Sequence, residues 1–152
     1  MAGRLDFRWK QLAQEALAVS RRRISGKPVP CGIGHGDFAP WNTRTQGGQL
    51  GVFDWECAGW SVPVWWDVFH FATQSSTLLK HSRRIEVPEE DHPAFRIMYM
   101  MYLLSSTCRI LRDEPTCLDG LQYRQNRLAA ELLRLDSAHY ATAVPCEVGE
   151  NA

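Results

Sequence analysis

The chain lacks most of what marks a secreted, membrane or nucleic-acid-binding protein. Its five cysteines, Cys31, Cys57, Cys108, Cys117 and Cys146, are odd in number and without CxxC spacing. That indicates neither a disulfide framework nor a cysteine-built zinc site, and it fits thiols kept reduced in a cytoplasmic compartment. Net charge is also missing, since 17 Lys and Arg balance 17 Asp and Glu. A nucleic-acid partner is therefore not expected, and Arg21, Arg22 and Arg23, like Arg83 and Arg84, read as solvated faces. There is no long apolar run: the longest, from Ile97 to Leu104 between Arg96 and Arg109, falls well below the roughly twenty residues a membrane helix needs. It reads as a buried core helix whose methionines fill irregular gaps. The N-terminus has no apolar signal core, because Leu5 and Asp6 lead into a charged amphipathic segment. Internal repeats and low-complexity tracts are absent as well. What remains, with 45% hydrophobic residues, suits one globular domain.

One stretch carries chemistry. His35-Gly36-Asp37-Phe38-Ala39-Pro40-Trp41-Asn42 is followed by Val52-Phe53-Asp54-Trp55-Glu56. Asp37 can accept a hydroxyl proton, while Asn42 and Asp54 are hard oxygen ligands of the kind Mg²⁺ takes when it also holds nucleotide phosphates. An Asp and an Asn five residues apart in a tight loop can face one cavity, and Pro40 restricts the backbone between them. Thr43-Arg44-Thr45, the turn Gln46-Gly47-Gly48 and the run Gln49 to Phe53 predict a β-hairpin that returns Asp54 to the neighbourhood of Asn42.

This constellation resembles the aminoglycoside phosphotransferase and choline kinase-like group, whose members share the catalytic lobe of protein kinases and carry an HGDxxxxN loop and a DWE-type segment. The run from Asp54 to Val68 is similar to the DWExAGxGDPxxDL pattern of that group, with Ser61 and Val62 where Gly and Asp are usual. The resemblance covers roughly residues 5–112. It implies an ATP-dependent (or GTP-dependent) transfer of a γ-phosphate to a small-molecule hydroxyl, on an aminoglycoside-like, amino-alcohol or sugar acceptor. It implies Asp37 as catalytic base, Asn42 and Asp54 as ligands of Mg²⁺, His35 as a packing and hydrogen-bonding support, and Asp67 as a brace for the catalytic loop.

Two parts of such an enzyme are not found. Neither a glycine-rich loop over the phosphates nor a strand lysine precedes Asp37. The alternating glycines of Cys31-Gly32-Ile33-Gly34-His35-Gly36 do not fit GxGxxG and open no helix. The expectation is thus a protein-kinase-like C-terminal lobe lacking its N-terminal lobe, either a shortened protein, a fragment of a longer one, or half of an assembly with a separate N-terminal lobe or a second copy. The alternative is a catalytically inactive lobe serving as a binding module. Gly36 stands where protein kinases place an arginine and Ala39 where they place a lysine, and no long activation segment separates Asp54 from Asp67. The expected acceptor is therefore a small hydroxyl compound rather than a protein.

The rest of the chain predicts helices over residues 5–22, 63–80, 93–112 and 118–135, opened by Pro63 and Pro93 in the second and third cases. The fold class is mainly α with a small β-hairpin, α+β, with a catalytic lobe over 1–140 and a flexible tail over 141–152. The acidic loop with Glu89, Glu90 and Asp91 invites a role in binding cationic acceptors, although a solvated loop is the commoner use. Trp41, Trp55, Trp60, Trp65 and Trp66 crowd the motif; they suit an aromatic wall, while core packing is the more frequent role. His70, His81, His92 and His139 show no metal-ligand spacing.

Overall fold

The computed structural model describes residues 7–78, 94–113 and 117–143, with side chains described up to residue 135. Helix α1 (Phe7–Ile24) buries Trp9, Ala16, Val19 and Ser20 along one face, and Arg21, Arg22 and Arg23 occupy its last turn, where the helix dipole favours cations. Gly26, at φ 73°, ends it in a left-handed conformation that costs a glycine nothing.

Helix α3 (Phe95–Asp113) is the centre of the molecule. Its first half is apolar nearly all round and buries Phe95, Ile97, Met98, Tyr99, Met100, Tyr102 and Leu103, as a helix surrounded by neighbours must. Helices α1, α2 (Trp66–Leu78) and α4 (Leu118–Ala143) pack against it. Aromatic rings make the α2–α3 seam: Phe69 lies 5.1 Å from Phe95 and 5.0 Å from Tyr99, centroid to centroid, and Trp66 meets Tyr102 edge-on at 5.4 Å. These tilted and T-shaped pairings suit the ring quadrupoles.

The polar motif sits on small strands at one end of this bundle. Strands β2 (Thr43–Gln46) and β3 (Gln49–Val52) form the expected hairpin, with Thr43 opposite Val52 and Gln46 opposite Gln49. Gly47 and Gly48 have φ of 57° and 77°, the paired positive values that a tight two-residue hairpin turn requires. A second antiparallel pair, β1 (Cys31–Gly34) with β4 (Gly59–Pro63), was not expected.

That pair corrects one helix boundary. Pro63 does not open a helix: it ends β4 opposite Cys31, and Val64 donates to the Pro30 carbonyl at 3.0 Å. At the end of an edge strand, proline forfeits no ladder bond. Trp65, at φ 70°, then swings the chain into α2 three residues later than expected. Helix α4 runs on to Ala143, past the end of its clear periodicity. The architecture is mostly helical with two small antiparallel sheets, an α+β arrangement. No helix among the described residues is long and apolar enough to cross a membrane. Cys31, Cys57, Cys108 and Cys117 are free thiols. Pro93, Cys146 and the acidic loop with Glu89, Glu90 and Asp91 lie outside the described residues, as do His81, His92 and the side chain of His139.

Candidate active site

The loop after β1 is shaped by one glycine and one carboxylate. Gly36 adopts φ 81°, and a Cβ there would run into the Cys57 carbonyl oxygen, so no other residue fits. The carboxylate of Asp67, in the first turn of α2, accepts the backbone N–H of His35 at 2.6 Å and of Gly36 at 3.0 Å. Two otherwise orphaned donors are thereby satisfied by charge-assisted bonds.

From this anchored start, Pro40 opens a 3-10 turn (Pro40–Asn42), favourable because its missing N–H would be unpaired anyway. The turn places Asn42 over Asp37: its Nδ2 donates to the Asp37 carbonyl and to Asp37 Oδ2, each at 2.9 Å. Ala39, between them, is wholly buried and leaves no room for a longer side chain.

His35 joins this loop to the Asp54 segment. It is 2% exposed, and its Nε2 donates to the Phe53 carbonyl at 2.7 Å while its Nδ1 accepts the Asp37 N–H at 3.3 Å. Phe53 in turn donates its N–H to the Asn42 carbonyl at 2.9 Å. The residue before Asp54 is therefore clamped on both sides by the loop that carries Asp37 and Asn42. Asp54 follows at φ 62°, ψ 63°, a left-handed conformation costly for a residue with a Cβ, and its side chain is exposed. Among the described residues no hydrogen bond or ion pair engages the Asp54 carboxylate or the Asn42 side-chain oxygen.

The structure thus brings Asp37, Asn42, His35 and Asp67 into one hydrogen-bonded unit and holds Asp54 beside it through the Phe53 backbone. It also adds a residue the sequence reading set aside. His70 was judged only for metal-ligand spacing, yet it lies one turn beyond Asp67 on the same face of α2. Its Nε2 stands 3.0 Å from Asp37 Oδ1. Its Nδ1 faces the Tyr102 hydroxyl at 3.0 Å and Arg109 Nη2 at 3.4 Å. A guanidinium only donates, so Nδ1 is the bare nitrogen and Nε2–H donates to Asp37. Both Asp37 carboxylate oxygens are therefore held, one by His70 and one by Asn42, while the side chain stays 31% exposed.

Burial, reinforced by the charge of Arg109 and opposed by that of Asp37, pulls the His70 pKa from 6.5 to about 4. The imidazole is neutral at pH 7 in the fold. Below pH 6.5 the unfolded chain takes up a proton that the folded chain refuses, so this histidine's contribution to stability is complete above 6.5 and is lost as pH falls toward 4. His70→Gln is expected to remove about 2 kcal/mol of the stability lost between pH 7 and pH 5. Denaturant unfolding of both proteins at the two pH values checks this; equal pH losses would contradict it.

The tryptophans divide. Trp65 and Trp66 pack on the core, whereas Trp41, Trp55 and Trp60 are 45%, 52% and 82% exposed, so a core role is overturned for those three. Asp37 and Trp41 border a cavity of about 320 Å³ whose far wall is built from α3 and α4. Among the described residues no group of three or more His, Cys, Asp or Glu is placed to hold a metal ion.

A family model described as "Phosphotransferase enzyme family" matches residues 1–104. No curated protein and no solved structure matches the chain. The matched span contains Asp37, Asn42, Asp54, Asp67 and His70 together with the strands and helices that bring them to one end of the bundle; the chain belongs to the phosphotransferase enzyme family.

Proposed function

We propose that this chain is a protein-kinase-like catalytic lobe that transfers the γ-phosphate of ATP to a hydroxyl of a small molecule. The observation that carries this reading is Asp37 itself: both its oxygens are oriented by donors, and it edges a cavity of small-molecule size. The acceptor hydroxyl gives its proton to the Asp37 carboxylate as its oxygen bonds to the γ-phosphorus, and the bond from that phosphorus to the bridging oxygen breaks to release ADP. His70 and Asn42 keep the carboxylate aimed; Asp67 and His35 keep its loop in place.

The donor set fits magnesium. Asn42 spends its amide N–H groups on Asp37, which turns its side-chain oxygen elsewhere, and the Asp54 carboxylate is unengaged among the described residues. Asn42 and Asp54 would hold Mg²⁺ through these two hard oxygens. When bound, the ion would offset the charge of the transferring phosphoryl group. The free thiols suit a cytoplasmic setting.

A second reading rests on the strand end. Ile33, Leu50, Phe53, Trp55 and Trp60 are each more than half exposed, and such a concentration of apolar side chains marks an interaction surface. On this reading the lobe works by docking a partner there, a separate N-terminal lobe or a second copy. Release of ADP by the purified chain separates the two. Acceptor-dependent release that disappears when the acceptor's hydroxyl is replaced by hydrogen supports phosphotransfer. A folded chain that releases ADP at the same rate with and without every hydroxyl acceptor contradicts it and favours the docking module.

A further inference from the structure

The cavity beside Asp37 has a charge pattern that the catalytic motif does not require. Its far wall carries two guanidinium groups, Arg109 from α3 and Arg124 from α4. Both lie beyond residues 1–104, the span matched by the family model.

Arg124 is 2% exposed. Its Nε donates to Ser106 Oγ and its Nη1 to the Gly120 carbonyl, each at 3.0 Å, and both acceptors are neutral. A Cβ on Gly120 would stand 3.3 Å from that Nη1, so the absent side chain leaves the guanidinium its place. No carboxylate among the described residues pairs with Arg124 or with Arg109. Among the described residues Asp113 is the carboxylate that lines that end of the cavity, and Arg112 already clasps it at 2.7 and 3.0 Å. Burial, opposed by Tyr102 and Cys117 and aided to a smaller degree by the charge of Arg109, presses Arg124 toward losing its proton, but an arginine keeps it.

Two like charges on one cavity wall, one of them buried and without a counter-ion among the described residues, are costly unless an anion meets them. Paired guanidiniums with free N–H groups are also the arrangement that binds carboxylate and phosphate oxygens in forked hydrogen bonds. At about 320 Å³, the cavity is at the small end of the roughly 300–1,000 Å³ of small-molecule sites.

We propose that the acceptor is a small anionic hydroxyl compound, a hydroxy acid or a phosphorylated alcohol, with its acidic group held between Arg109 and Arg124 and its hydroxyl directed to Asp37. This rests on the reading of Asp37 as the acceptor's base. It departs from a cationic acceptor such as an aminoglycoside or choline, whose ammonium groups would face the two guanidiniums.

The test is binding without nucleotide, followed by ligand-observed NMR on the full chain with four probes that each bear a hydroxyl: glycerate, glycerol 3-phosphate, glycerol and choline. Glycerate or glycerol 3-phosphate is expected to bind at least about tenfold more tightly than glycerol, and choline not at all. The tighter of the two anions tells carboxylate from phosphate. Arg124→Gln and Arg109→Gln are each expected to cut the anion-to-glycerol ratio by about tenfold or more; Arg109 is less buried, so its variant carries the test if Arg124→Gln fails to fold. Choline or glycerol binding as well as either anion, no binding by both anions, or an unchanged ratio in Arg109→Gln would overturn the proposal. Because no turnover is involved, anion binding by a chain that transfers no phosphate would leave the anion site between Arg109 and Arg124 standing and remove the catalytic reading, and with it the anion's role as acceptor.

Discussion

Asp37→Ala is expected to lower acceptor-dependent phosphate transfer by about a thousandfold while the chain stays folded. The activity loss follows from removing the carboxylate that His70 and Asn42 hold at the edge of the cavity. The fold survives because the position is 31% exposed, so water reaches the donors of His70 and Asn42 that the carboxylate leaves behind, and the stability cost is about 1–2 kcal/mol. Steady-state rates and a thermal melt on the same preparation check both halves. A variant within tenfold of the parent would remove Asp37 from the chemistry.

Asp67→Ala is expected to act in the opposite sense, on the fold first. Its two oxygens accept the His35 and Gly36 N–H groups, and each hydrogen bond to a charged group contributes about 1.5–3 kcal/mol. Alanine leaves both donors unpaired in a region where Gly36 is pressed on Cys57 and no local shift can re-pair them. A loss of about 3–5 kcal/mol follows, a large share of the stability of an ordinary domain. Transfer falls with it, because the loop that carries Asp37 begins at these two residues. Denaturant unfolding measures the first effect, and a loss under 1 kcal/mol would show that Asp67 does not anchor the loop.

The meeting of Asp37 with Asn42 was legible in the sequence because it is local, whereas Asp67 reaches back 31 and 32 residues to Gly36 and His35 and was suggested by the resemblance alone. Asp37 and Asn42 meet across five residues of a turn primed by Pro40, and the Gly47-Gly48 hairpin returns the chain by short-range geometry alone. The burial of Met98 and Met100 was likewise written in the unbroken apolar run of α3. What the sequence concealed depends on distant pairing. Strand β1 contains two glycines and carries little strand propensity of its own; it exists because Cys31 finds Pro63, 32 residues on. Pro63 was misread for the same reason, since a proline before an apolar stretch looks like a helix start until its strand partner is known. His70 and Arg124 were hidden differently. Each sits on a helix face whose neighbour is another helix, and only packing shows that these faces converge on Asp37 and on the cavity beside it.

The apolar side chains at the strand end, Ile33 and Trp60 above all, follow from the same division of labour. The helices cover one another around α3, while the strands have no layer above them among the described residues. If a second lobe or chain covers that end, nucleotide would be held between the two, with Asn42 and Asp54 contributing the lower side.

Calorimetric titration of the chain with Mg²⁺-ATP, set beside Asp54→Ala, bears most directly on the central claim. Asp54 is exposed, strained and unengaged among the described residues, so its replacement leaves the core untouched. Saturable binding that needs magnesium and weakens at least about tenfold in Asp54→Ala is the result expected of a lobe that holds nucleotide through its metal. Equal affinity in the two proteins, or no saturable binding by a folded chain, would contradict it.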